Sequence, residues 1–181
     1  MHHRGMKHLP NILSAARLAL AIPLVWAIYS GDRGFALVLG VVALASDALD
    51  GAIARRYGAE SELGRILDPL ADKVLAASVA VALLWQGAVP LWYAATVIGR
   101  DVVIVAGGLA LRSRVGSVPP SLPIGKVAAT SIGIVLLAAI AGIGALLLDG
   151  LALVSSALLG WSLLVYAARL WGAIRPQRTS H

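Results

Sequence analysis

Long apolar runs, broken at intervals by short polar clusters, dominate this chain. Six runs stand out, at about Ile12–Tyr29, Gly34–Ala54, Arg65–Trp85, Leu91–Leu111, Lys126–Leu148 and Leu151–Ile174. Each comes near the roughly 20 residues that a helix needs to cross a hydrocarbon core. The breaks fall at Ser30-Gly31-Asp32-Arg33-Gly34, Gln86-Gly87-Ala88-Val89-Pro90, Ser117-Val118-Pro119-Pro120-Ser121-Leu122-Pro123 and Asp149-Gly150, all turn-forming clusters. The pattern predicts an all-α integral membrane protein with six transmembrane helices, forming a single domain over residues 1–181. Met1–Pro10 is short and basic, with His2, His3, Arg4 and Lys7, and could open a signal peptide. No small-residue cleavage site breaks the run before Tyr29, however, and further spans follow. The segment therefore reads as a cytoplasmic start lying along the membrane interface.

Composition strengthens this picture. The chain is 59% hydrophobic and only 13% charged, with a mean hydropathy of +0.86. Such a chain cannot cover a water-facing surface with polar groups, so lipid is its solvent. It has no cysteine, which excludes disulfides and thiolate metal sites. The net charge of +6 raises nucleic acid as a partner, but no basic-aromatic interleaving accompanies it.

The charge instead sets orientation. Arg4, Lys7, Arg55, Arg56, Arg65, Arg112, Arg114, Lys126, Arg175 and Arg178 fall on one side of the predicted spans, and Arg33 alone on the other. Basic loops mark the cytoplasmic face, so both termini are expected there, in the cell membrane. Four further bases, Arg17, Lys73, Arg100 and Arg169, lie within spans. Small residues four apart, Ala138 with Gly142 and Ala141 with Ala145, suit close helix packing in the fifth span. That packing serves a homodimer seam or the inside of one chain equally well.

Candidate chemistry gathers between the second and third spans. Asp47 and Asp50 are three residues apart, and Asp68 and Asp72 four apart, so each pair shares a helix face. From the cytoplasmic face, at 1.5 Å per residue, Asp47 and Asp50 lie roughly 12 and 7 Å deep, and Asp68 and Asp72 roughly 5 and 10 Å. If the two spans are antiparallel neighbours, the four carboxylates converge. They cannot all stay ionised without cations, and hard oxygen donors select Mg²⁺, Mn²⁺ or Ca²⁺ over zinc. Two divalent ions would neutralise the set, and such sites suit displacement at phosphorus. Gly51, Ala54 and Gly64 leave room for a ligand to approach backbone, and Arg55 could hold a phosphate. The competing readings are helix packing or turns for the glycines, and a proton or cation pathway for the acids.

The pattern Asp47-x2-Asp50-Gly51-x2-Ala54-Arg55-x8-Gly64-x3-Asp68-x3-Asp72 resembles the signature of the CDP-alcohol phosphotransferases, with every position occupied. The six spans and the opening Leu9-Pro10-Asn11-Ile12-Leu13-Ser14-x2-Arg17 extend the resemblance over most of the chain. It implies transfer of a phosphoalcohol from a CDP-linked lipid donor, CDP-diacylglycerol, to a hydroxyl acceptor, with release of CMP on the cytoplasmic side. It further implies that Asp47, Asp50 and Asp68 are ligands of Mg²⁺ or Mn²⁺, two ions in all. Asp72 would be the general base that also touches metal. Gly51, Ala54 and Gly64 would form the cytidine pocket, with Arg55 near the pyrophosphate.

Asp68-Pro69-Leu70-Ala71-Asp72-Lys73 looks like the branches that use a glycerol-type acceptor, phosphatidylglycerol or glycerol 3-phosphate, rather than inositol phosphate or serine. Arg100-Asp101-Val102 tilts the resemblance towards the CMP-forming cardiolipin synthases. Arg112, Lys126 and Arg169 could line the acceptor side, since a phosphate-bearing acceptor needs cations, or could be positive-inside charges snorkelling at helix ends. The same chemistry with another alcohol acceptor such as inositol phosphate stays open, as does, from a different class, a small membrane transporter, with intramembrane Arg100 and Asp101 as its hint.

Overall fold

The computed structural model describes residues 9–57, 64–115 and 123–174, with side chains for 15–46, 70–108, 123–169 and 171. Among the described residues six helices follow one another: α1 (Leu9–Ser30), α2 (Arg33–Tyr57), α3 (Gly64–Trp85), α4 (Leu91–Val115), α5 (Pro123–Ala141) and α6 (Ala145–Ile174). Among the described residues, Leu91–Gly108, Pro123–Ala141 and Ala145–Arg169 are long and apolar enough to cross a membrane, and Ala15–Ser30 and Arg33–Ser46 are shorter apolar stretches. The chain is thus an all-α membrane protein. The expected interfacial start lies almost wholly outside the described residues; Leu9 and Pro10 belong to α1.

The short connections share one device. Gly31, Gly87 and Gly142 each take positive φ at the end of an odd-numbered helix. At each, the glycine N–H bonds the carbonyl three residues back and the next N–H the carbonyl five back, as in Gly142 to Ala139 (3.0 Å) and Ile143 to Ala138 (3.3 Å). These are Schellman turns, which satisfy the last helical carbonyls where water is scarce. Asp32 then starts α2, its carboxylate accepting from the Phe35 N–H at 3.0 Å. The Gln86 side-chain amide donates to the Ile28 carbonyl, tying the end of α3 to the end of α1.

The boundary between the last two helices corrects the reading from sequence. The turn sits at Gly142–Gly144, and Asp149 and Gly150, the expected break, lie exposed inside α6. A left-handed glycine closes a complete Schellman motif at 142, whereas a glycine inside a helix costs only about 1 kcal/mol and is tolerated. Gly142 and Ala145 therefore do not belong to one continuous small-residue helix face.

Among the described residues, α1, α2, α5 and α3 form a ring of contacting helices in which α2 and α3 share the neighbours α1 and α5. α1 packs against both of them, most extensively on α3, and α5 also packs against both. The expected approach of α2 to α3 falls on residues 47–57 and 64–69, whose side chains lie outside the described residues. A second four-cornered group, α3, α4, α6 and α5, shares the α3–α5 edge. The α5 stripe Ala128, Ile132, Val135, Leu136, Ala139 and Ile140 is buried at that junction. Gly40 and Gly133 let α2 and α5 meet closely: a Cβ on either would fall within 3 Å of Leu137 or Leu44.

Small residues fill much of the interior, including Ala27, Ala36, Ala80, Ala82, Ala94, Ala128 and Ala152. Large apolar ones such as Ile22, Trp26, Val38, Leu146, Leu153 and Trp161 point outward. That inversion of the water-soluble pattern suits a protein solvated by acyl chains, where close backbone approach drives association.

Candidate active site

The backbone carries the acidic motif on two helices. Asp47, Asp50, Gly51, Ala54 and Arg55 all lie within α2, Gly64 is the first residue of α3, and Asp68 and Asp72 follow on its next turns. The three- and four-residue spacings therefore fall on helix, as their reading requires. The side chains of Asp47, Asp50, Gly51, Ala54, Arg55, Gly64, Asp68 and Arg112 lie outside the described residues.

Asp72 is within them. Its carboxylate accepts from the Arg17 guanidinium of α1 in an ion pair that is asymmetric in burial. The Arg17 side chain is 3% exposed and that of Asp72 40%. The next residue, Lys73, faces another way: its ammonium reaches Asp101 Oδ1 of α4 at 2.8 Å. Arg100 meets the same oxygen at 2.6 Å, and its second terminal nitrogen donates to Ser162 Oγ of α6 at 3.1 Å. Consecutive residues of α3 thus brace that helix against α1 with an acid and against α4 with a base.

Arg100 and Asp101, which alone suggest a transport pathway, are engaged with each other and with Lys73. An intramembrane charge is costly unless paired, and pairing gives these residues a structural account. Gly125, in the first turn of α5, lies beside Arg100 and Ser162. That places the exposed Lys126 one residue along from this network. Arg169 is exposed on α6, and Arg112 falls in the last turns of α4.

Sequence reasoning missed the link from Arg17 to Asp72 and the one from Lys73 to Asp101. The available signal was the position of Arg17, Lys73 and Arg100 within apolar runs, since cations at such depth seek acids. A buried hydroxyl chain, Tyr93 to Ser155 (3.1 Å) to Ser131 (2.9 Å), also joins α4, α6 and α5. It satisfies groups that lipid could not.

A carboxylate motif on α2 and α3 in an all-helical, lipid-solvated bundle defines a class of protein. A sequence model of the CDP-alcohol phosphatidyltransferase family matches residues 7–171, and the chain belongs to that family. Among curated relatives, the cardiolipin synthase (CMP-forming) of Streptomyces coelicolor is 40% identical over 128 residues, covering 66% of this chain and 59% of that protein. The human cardiolipin synthase (CMP-forming) is 40% identical over 117 residues, 63% of this chain and 38% of the relative. A chloroplastic CDP-diacylglycerol--glycerol-3-phosphate 3-phosphatidyltransferase of Oryza sativa subsp. japonica is 37% identical over 108 residues, 59% and 32% of the two chains. The matched region thus spans between a third and three fifths of these relatives' lengths.

Proposed function

We propose that this chain is a metal-dependent phosphatidyltransferase of phospholipid synthesis. It moves the phosphatidyl group of CDP-diacylglycerol to the hydroxyl of a glycerol-type acceptor and releases CMP. The acceptor is phosphatidylglycerol, giving cardiolipin, or glycerol 3-phosphate, giving phosphatidylglycerophosphate. The observation that carries this reading is the complete aspartate motif set on α2 and α3, with Asp72 half-open and paired with a buried arginine. The names of the relatives support the same acceptor class.

The donor set fits hard divalent ions, because it is all carboxylate. Asp47, Asp50 and Asp68, with Asp72 at the edge, would hold Mg²⁺ or Mn²⁺, two ions in the reading favoured here. Such ions would supply charge neutralisation at the diphosphate. The chain's own residues do the rest. Gly51, Ala54 and Gly64 admit the cytidine, and Arg55 holds a phosphate oxygen. Asp72 accepts the proton of the acceptor hydroxyl as its oxygen bonds the phosphorus that carries diacylglycerol. The bond from that phosphorus to the bridging oxygen breaks, and CMP leaves with the electron pair. Residues 1–181 work as one six-span domain with both termini and the site on the cytoplasmic side, so CMP departs into water while both lipids stay in the bilayer.

Glycerol 3-phosphate is a soluble dianion and needs a cationic pocket, for which Arg112, Lys126 and Arg169 are the candidates. Phosphatidylglycerol is a lipid monoanion and needs lateral access between helices with fewer cations. The Arg100-Asp101 sequence favours the latter. Purified protein supplied with CDP-diacylglycerol and each acceptor in turn tests the choice. Cardiolipin as the sole product supports phosphatidylglycerol. Turnover of glycerol 3-phosphate that Arg112→Ala and Lys126→Ala abolish supports the other acceptor, and transfer only to inositol phosphate or serine overturns both.

A further inference from the structure

Arg17 is among the most deeply buried charged groups described, 4% exposed in a part of α1 whose buried neighbours along the helix are Ala21 and Leu24. Taking a guanidinium out of water costs several kcal/mol unless a counter-charge meets it. Its partner is Asp72, on the helix that α1 packs against most extensively. The pair is not a closed internal bridge. The cation is sealed in helix packing, whereas the acid keeps 40% of its side chain exposed. A guanidinium is planar, permanently charged and rigid in its fork, so it fixes the orientation of a carboxylate as well as its charge.

We propose that Arg17 is a positioning residue that turns the Asp72 carboxylate towards the acceptor's proton and holds it there. This rests on the reading of Asp72 as the base. The reasoning follows from competition. A divalent ion and a guanidinium both seek carboxylate oxygen, and the Asp72 Oδ1 atom is already engaged by Arg17. The acid therefore has a cation supplied by the protein on that oxygen. Arg17 also sets the direction in which the carboxylate faces the acceptor, an orientation that the Asp72 backbone alone does not fix.

Arg17→Gln and Arg17→Lys, each alone and combined with Asp72→Asn, test the assignment. Two readouts are needed: steady-state kinetics, and Mn²⁺ binding to protein without substrate. Arg17→Gln is expected to lower kcat about 100-fold, the lower range for losing a general base, with KM for CDP-diacylglycerol within about threefold. Its Mn²⁺ affinity should hold or tighten, because Asp72 is released to the ions. Arg17→Lys keeps the charge without the fork and should lower kcat by about threefold to tenfold, well short of the loss in Arg17→Gln. In the Asp72→Asn background, Arg17→Gln should cost nothing further.

Unchanged kcat in Arg17→Gln, or a fall in Mn²⁺ affinity parallel to that in kcat, overturns the proposal. If Arg17→Gln does not fold, Arg17→Lys decides: kcat lowered with KM and Mn²⁺ affinity intact supports the assignment, and kcat unchanged or Mn²⁺ affinity lost contradicts it. Near-normal turnover in Asp72→Asn is a separate result. It removes Asp72 as the base and so the parent reading, whereas a silent Arg17→Gln beside an inactive Asp72→Asn removes only the role of Arg17.

Discussion

Asp101 holds two cations on one carboxylate oxygen, Lys73 from α3 and Arg100 from its own helix. None of the three side chains is more than 21% exposed, so the pairing works at low local dielectric. Removing the acid leaves two like charges side by side without compensation. Asp101→Asn should therefore destabilise the protein by about 3–5 kcal/mol, the range for breaking a buried pair by deleting one partner. Ser162→Ala removes only one neutral acceptor from Arg100 and should cost about 1 kcal/mol. Thermal unfolding in detergent checks both, and an Asp101→Asn protein as stable as the parent would show that the network is dispensable. At this scale the sequence shows the acids through their spacing but not their partners. Arg17 and Asp72 are 55 residues apart, and nothing local to either names the other.

Helix ends matter more than helix middles in this fold. The odd-numbered helices α1, α3 and α5 all stop at a left-handed glycine, and the chain turns within a few residues. An L-residue there meets a backbone penalty of about 1–2 kcal/mol. Gly142→Ala should lower stability by that amount, since its Cβ would also meet the movable Arg33 guanidinium. Gly150→Ala, inside α6 with nothing nearby, should be neutral or slightly stabilising. Equal effects of the two substitutions on the unfolding midpoint would contradict the placement of this turn.

The same pair shows where reading the sequence stopped. Long apolar runs reveal all six helices, because lipid demands length and apolarity together. The α5–α6 boundary has no polar cluster, as Ala141-Gly142-Ile143-Gly144 is as apolar as its surroundings, and Asp149-Gly150 has the composition of a turn without its conformation. Nor does periodicity along one helix reveal that α1 and α5 both pack against α2 and α3.

For the whole molecule, the distribution of charge makes a claim about orientation. On the proposed topology, ten basic residues lie on one side of the spans against Arg33 on the other, and both termini are expected in the cytoplasm. Because the chain lacks cysteine, Ser30→Cys and Ser180→Cys can be labelled singly in sealed vesicles. They should react from opposite sides, and reaction of both from the same side would refute six spans with a cytoplasmic site. That topology would bring the motif of α2 and α3 to the face where CMP can leave. The most direct test of the central claim is the ratio of CMP released to phospholipid formed when purified protein is given CDP-diacylglycerol, a glycerol-type acceptor and Mg²⁺. Phosphatidyl transfer requires equal amounts of the two products, with neither formed in excess chelator or without acceptor. CMP released at the full rate with no acceptor present, or turnover that survives chelation, would contradict it.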